Sequence, residues 1–357
     1  MKRSISILWS VLLAGLVVLT AWQSRRLAGI RRERLPETYT GATSDVPPAI
    51  TFVMVGLGGF RGVVSEVLWF RANRLQEAGR YFELVQLANW LTMLDPHASE
   101  AWVYNAWNLT YNVSVMMGRP EDRLRWVLNG ITLLRDEGLR FNPRDARLYR
   151  ELAWFYQNKV GDVLDSAHLT YKVALARQLA PCVSTNGTIL VTPENRERLS
   201  ALRLDADRMV ALEQRFGPLD WRLANSHAIY WAAQGLEFAT GHERLMSRRA
   251  VYQPLILSVA NGRLTGDIEA QQWQTSPNLD LALPTAEFLM DTYRDHPSTT
   301  MKMVARGFLS HAIHDLHRNG RDNEARQLFA QLLFLPSESG RQPSFEDVIK
   351  KIEQRYE

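Results

Sequence analysis

The stretch that most constrains this chain runs from Gly79 to Pro96, GRYFELVQLANWLTMLDP. A glycine turn, an amphipathic run and a proline stop follow one another within it. Apolar residues at Tyr81, Leu84, Val85, Ala88, Leu91 and Leu94 step by three and four, which places them along one face of a helix. Pro96 cannot continue that helix, because it lacks an N–H and its ring clashes with the preceding turn. One such helix cannot bury its face alone. The chain must supply others to stack against it.

The flanking sequence does so. Ser65–Ala78 carries Leu68, Ala72 and Leu75 on one face and makes the first half of a hairpin. A small residue midway in the first helix, the glycine turn and the closing Asp95-Pro96 resemble the tetratricopeptide repeat, a two-helix unit of about 34 residues. The departures are Leu84, where a small residue is usual, and Arg71, where an apolar one is. A second unit opens at Glu100-Ala101-Trp102 with Ala106 and closes on Asn142-Pro143. Its Gly118–Pro143 interval is about eight residues longer than Gly79–Pro96, which predicts added helical turns. A third, from Asp145 to Pro181, carries Tyr149, Leu152, Ala153, Tyr156 and Gly161-Asp162, then Ala167, Tyr171 and Ala174. Near the C-terminus Gly320, Glu324, Ala325, Phe329 and Leu332 repeat the spacing of Gly79, Glu83, Leu84, Ala88 and Leu91. Three consecutive units are about what a stable stack of this kind requires.

Between these copies the pattern lapses. Residues 182–193 read as a loop with a turn at Asn186-Gly187, and Asn195–Phe216 as one charged, solvated helix. Ala228, Tyr230, Trp231, Ala232 and Leu236 start another hairpin, whose second helix, Glu243–Ala260, contains Pro254. Asn261–Pro284 reads as an irregular excursion. Ser344–Tyr356 reads as a capping helix with Val348, Ile352 and Tyr356 inward.

The formal charge of +4 is unevenly placed. Residues 1–34 hold Lys2, Arg3, Arg25, Arg26, Arg31, Arg32 and Arg34 against Glu33 alone, so the body is close to neutral. It lacks the electrostatic footprint of a nucleic-acid binder. Cys182 is the only cysteine, which excludes an intramolecular disulfide and a cysteine-based zinc site.

Ile5–Trp22 is uncharged and predominantly apolar, follows Lys2-Arg3, and has Trp9 and Trp22 near its two ends. These features predict an uncleaved N-terminal transmembrane anchor in the cytoplasmic (inner) membrane; a cleaved signal is the alternative, without a convincing cleavage site. The short basic tail places the body on the extracytoplasmic side, while the arginines after Trp22 argue for the opposite orientation. A Pro- and Thr-rich linker spans 35–50. The apolar run Ala49–Phe60 is too short to span a bilayer, and its glycines fit neither phosphate-loop spacing.

Chemistry is scarce. His311, His314, Asp315 and His317 share one predicted helix, but three imidazoles do not converge at that spacing. Glu151, Asp162, Asp165 and His168 form no recognised acid–base motif, and Asp220 reads as a helix cap in an ordered turn. No cofactor motif is present. In the tetratricopeptide family the first helix of each pair lines a peptide-binding groove. The resemblance carries that role to Trp69 and Asn73, to Tyr104, Trp107 and Tyr111, and to Arg150, Trp154 and Asn158. Aromatics at helical spacing also pack in cores, and a register shift of one residue exchanges the two.

The resulting expectation is an all-α solenoid of tetratricopeptide-like antiparallel hairpins, of the membrane-anchored bacterial type. It comprises an anchor (1–34), a linker (35–50), three hairpins with an apolar entry segment (51–181), an irregular helical section (182–300), and a C-terminal hairpin with its cap (301–357). The expected function is a scaffold or assembly subunit binding protein partners of a membrane complex. The alternatives are a structural subunit packing on transmembrane partners through residues 49–70, and a helical-repeat enzyme acting on glycan or peptide.

Overall fold

The computed structural model describes residues 61–268, 272–336 and 342–354, with Gly15, Leu19, Trp22, Gln23 and Arg26 of the N-terminal segment. These residues are overwhelmingly helical, which places the chain in the all-α class. Most of Ile5–Trp22, the linker 35–50, the apolar run Ala49–Phe60 and Tyr356 lie outside them. Among the described residues no helix is long and apolar enough to cross a membrane.

The helices fall into two compact units, one ending at Asn108 and the other beginning at Leu109. In the first, α1 (Arg61–Glu77), α2 (Tyr81–Leu94) and α3 (Ser99–Trp107) pack in sequence order. Gly79 ends α1 at φ +67, in the left-handed region that favours glycine. The Gly79 amide donates to Gln76 O at 3.0 Å and the Arg80 amide to Leu75 O at 2.9 Å, satisfying two carbonyls at the helix end. Arg80 then clasps Glu83, Nε to Oε1 at 2.6 Å. Leu84, Leu87 and Leu91 close on Ala72, Leu75 and Ala101. Burying each such leucine stabilises the unit by roughly 1.5–3 kcal/mol.

In the second unit α4 (Pro120–Thr132) continues through a π-helical turn (Leu133–Gly138) to Phe141, which accounts for the length of chain between Gly118 and Pro143. Next, α5 (Ala146–Trp154) continues through a π turn (Phe155–Val160), followed by α6 (His168–Leu179). Trp102 and Tyr149 hold equivalent places after their prolines. Trp102 Nε1 donates to Pro96 O at 2.8 Å, and Tyr149 OH donates to Pro143 O at the same distance.

The helix expected over 195–216 is divided into α7 (Pro193–Ala201) and α8 (Ala206–Phe216). The break lies where Arg203 takes φ +59 and Asp205 caps α8, accepting the amides of Asp207 and Arg208. Beyond it are α9 (Ala224–Leu236) and α10 (Gly241–Asn261), the latter with Pro254 inside. The region expected to be irregular instead carries an antiparallel hairpin, β1 (Arg263–Asp267) with β2 (Gln272–Ser276), Gly266 facing Trp273. The chain then forms α11 (Ala282–Asp295), α12 (Thr299–Arg318), α13 (Asp322–Leu333) and α14 (Phe345–Glu353).

Packing departs from chain order at α5, which lies against α9 and α10. Of the intervening helices, α6 lies on α4 and on the π turn of α5, and α8 touches α11. Beneath them is an aromatic core of Tyr149, Tyr156, Trp221, His227, Tyr230 and Trp231, with neighbouring ring centroids 5.0–6.3 Å apart. Several polar tips in this core find partners within the fold, whereas Trp231 Nε1 and His227 Nδ1 are buried without one among the described residues. Trp221 Nε1 donates to Glu213 at 2.7 Å, and Tyr230 OH accepts the Asp205 amide at 2.9 Å.

The α12–α13 turn repeats the first one. Gly320 stands at φ +72, the Arg321 amide donates to Leu316 O at 2.9 Å, and Arg321 clasps Glu324 at 2.7 Å. Ser344 and Asp347 form a capping box at the start of α14, which buries Val348, Ile349 and Ile352.

Candidate functional site

The groove residues expected from the sequence divide between the two units, four in each. In the first unit, Trp69 and Tyr104 are half-buried against the core and meet edge to face, centroids 5.1 Å apart. Tyr104 OH donates to Gln76 Oε1 at 2.8 Å, and burial pushes its phenol pKa up, with Tyr81 adding to the shift. Trp107 is half-buried on α3, while Asn73 on α1 is exposed.

In the second unit Tyr111 is half-buried, edge-on to Phe155 at 6.0 Å and beneath the Lys159 ammonium at 5.1 Å. Burial raises its phenol far above the ordinary value, outweighing the hydrogen bond from Trp154. Trp154 itself stays exposed. Arg150 is committed to an ion pair with Glu243 of α10. Asn158 sits on the π turn, its Nδ2 donating to Trp154 O at 3.4 Å.

Asp165, a sequence candidate for acid–base work, has a structural position instead. Its carboxylate accepts Lys159 Nζ at 2.6 Å, Tyr171 OH at 3.1 Å, Arg123 at 3.2 Å and the Ala167 amide at 2.9 Å. Both side chains of the Lys159–Asp165 pair are almost wholly buried. Burial acts to raise the Asp165 pKa, but Lys159, the Ala167 amide and Tyr171 together hold it at about 2. This network pins the loop after the π turn to α4 and α6.

A second buried carboxylate fixes the opposite side. Asp220 does not cap α9; Leu223 stands at that position and offers no side-chain acceptor. The Asp220 carboxylate instead accepts Arg222 Nε at 2.8 Å, a second Arg222 N–H at 2.7 Å and the Leu264 amide at 2.9 Å. Its main-chain carbonyl accepts Ser226 Oγ at 2.6 Å. The start of α9 and strand β1 are thereby locked together.

Between these two anchors lies a cleft of about 370 Å³. The π turn of α5, the start of α9, the end of α10 and the β-hairpin form its walls. Four carboxamides line it, from Gln157, Asn158, Asn225 and Asn261, with Lys172 and Trp273. Val163 and Leu257 contribute exposed apolar surface at its edge, and Leu164, beside Val163, is 84% exposed. Lys172 and His168 stand 3.3 Å apart. Burial lowers both pKa values; for His168 the Lys172 charge adds to that, while Asp162 opposes it at both. Among the described residues that line the cleft, Asp162 is the one carboxylate.

Of the groove residues expected from the sequence Asn158 reaches this cleft, and of the acid–base candidates Asp162 does. Asn225, Asn261, Lys172 and Trp273 were missed, because their spacing carries no periodic signal and only the packing of α6, α9, α10 and the β-hairpin around the π turn of α5 brings them together. The α12 histidines go to separate partners: His311 to Gly307 O, His314 to Asp315 and His317 to Asp322. Among the described residues no three His, Cys, Asp or Glu side chains are grouped to hold a metal ion. The chain matches no protein-family model, and comparison with curated proteins returns no match.

Proposed function

We propose that this chain is a scaffold of tetratricopeptide-like hairpins, tethered to a membrane through Ile5–Trp22 with an extracytoplasmic body. In this reading the cleft of the second unit holds an extended segment of a partner protein, as suits an assembly or accessory subunit. The observation that carries it is the set of four carboxamides beside an apolar edge. A peptide backbone offers one N–H and one C=O per residue, and a carboxamide pairs with both whatever the peptide side chains are. Val163, Leu257 and Trp273 are placed to take those side chains, and Lys172 to meet a carboxylate. A glycan hydrolase of the usual kind would need a second carboxylate facing Asp162. The shared Gly-Arg-x-x-Glu turns support the repeat reading.

The test is selection of a displayed random peptide library on the detergent-solubilised full chain. Enriched peptides should lose at least tenfold in affinity against Asn158→Ala plus Asn225→Ala at unchanged Tm. No enrichment, or unaltered affinity in that variant, overturns the proposal.

A second reading rests on α1. Val63, Val67 and Phe70 recur at helical spacing on its outer face and are 59%, 62% and 66% exposed. Such a stripe suits packing on an apolar partner helix. Val67→Ser with Phe70→Ser should leave Tm unchanged and release that partner from a solubilised membrane complex. An intact complex argues against it.

A further inference from the structure

A second cleft in the Leu109–Glu357 unit, of about 660 Å³, shares no lining residue with the carboxamide cleft. It lies among α8, α9 and α10, and four arginines reach it: Arg208, Arg215, Arg244 and Arg248. Arg248 stands at its base and is only 6% exposed. Its Nε donates to Thr292 Oγ1 at 2.9 Å and one terminal nitrogen to Asp295 at 3.0 Å. Arg244 lies four residues earlier on α10, on the same face. Arg215, in the last turn of α8, stacks over Phe216 and Phe288 at 4.9 and 5.5 Å, and the Arg248 guanidinium covers the same Phe288 ring at 4.9 Å.

The carboxylates that face this group are already engaged. Asp205 caps α8, Asp207 forms a two-pronged pair with Arg196, and Glu237 pairs with Arg208. On the far side Asp295 serves Arg248, and Asp291 pairs with Arg294. Among the described residues neither Arg215 nor Arg244 enters an ion pair. Two guanidinia without an ion-pair partner therefore line the cleft with a buried third one, and Asp205, bonded only to neutral amides, offsets part of their charge. Like charges held together without a full counter-charge destabilise the fold, unless an anion from outside balances them. Burial, Arg244 and Arg215 all depress the Arg248 pKa, against Asp295 and Asp291, which agrees with this excess of positive charge.

We infer that this cleft binds a phosphate monoester. Its dianion matches two open guanidinium forks, each of which pairs bidentately with oxygen anions. The cleft volume lies in the range of pockets that hold small organic ligands, which leaves space for the esterified group. A soluble ester and a lipid headgroup share this chemistry.

Calorimetric titration of the full chain in detergent separates the cases. The probes are inorganic phosphate, glycerol 3-phosphate, a short-chain phosphatidic acid below its micellar concentration, and glutarate as a dicarboxylate of equal charge. Glycerol 3-phosphate or the phosphatidic acid should bind at least tenfold more tightly than glutarate, and whichever of the two is tighter identifies the source. Arg215→Gln with Arg244→Gln should weaken that binding at least tenfold at unchanged Tm, while Arg249→Gln, on the exposed face of the same helix, should not. Equal binding of glutarate, or full binding by the double variant, overturns the assignment, as does the absence of heat with every phosphate probe.

Discussion

The hairpins α1–α2 and α12–α13 belong to different units and are turned by the same chemistry. Each ends its first helix on a left-handed glycine, and each sets an arginine after it to clasp a glutamate three residues on. They differ in what their helices face. Five residues after the glycine the first buries Leu84 and the second Ala325, both fully covered. The outer face of α1 is an exposed apolar stripe, whereas α12 packs against α11, α13 and α14. Turn chemistry makes the hairpin; side-chain size and outward polarity decide what packs on it.

The largest expected effect tests the inner face. Leu84→Ala should cost about 2–5 kcal/mol in denaturant unfolding, since the vacated volume lies among Leu75, Leu87 and Leu91. The reciprocal Ala325→Leu should cost about 1–3 kcal/mol through overpacking. Indifference at either site would show that the two hairpins are not packed to size.

Acid should separate the units next. Burial holds the His227 pKa at about 4, with the Trp221 carbonyl only partly offsetting it, against an ordinary value of 6.5. The unfolded chain therefore binds a proton there below about pH 6.5, while the native chain does not until about pH 4. Stability should fall through that window, by roughly 3 kcal/mol, and His227→Gln should remove the slope. Asp165, held at about 2, contributes stability that is present above the ordinary carboxylate value and lost as pH falls toward 2. Hydrogen exchange against pH should then loosen α12–α13 before α1–α2. Simultaneous loosening would contradict this account.

The two turn glycines should respond alike. A Cβ at Gly79 or Gly320 would meet no atom within 4 Å, so each alanine substitution costs only its backbone strain, about 1–2 kcal/mol. Unequal losses of Tm would break the equivalence. The arginine clasps should matter least. Arg80→Ala should cost about 0.2–0.5 kcal/mol, because that pair is exposed. Arg321→Ala should cost somewhat more, up to about 1 kcal/mol, since Arg321 also reaches Asp280 at 2.7 Å.

These hairpins were legible because glycine, proline and apolar spacing are local signals. The turn at Asn186-Gly187 and the C-terminal cap were legible for the same reason. The π turns after α4 and α5 carry no residue signature. Arg203 breaks the 195–216 helix in a conformation that sequence rules assign to glycine or asparagine. β1, RLTGD, lacks the alternation that marks a strand. The cleft was the least legible feature. Asn158 and Asn225 share it only because α5 packs on a helix that begins some seventy residues beyond its own last turn. Asp165 and Asp220, which fix its two sides, look like ordinary loop acids until their buried partners are seen.

Where a bound peptide lies on the molecule tests the central claim most directly. A selected peptide carrying a central benzophenone would be photo-cross-linked to the full chain, and the adduct mapped by mass spectrometry. The account predicts adducts at Gln157, Val163, Leu257 and Trp273. Adducts at Trp69, Asn73, Tyr104 and Trp107 instead would contradict it.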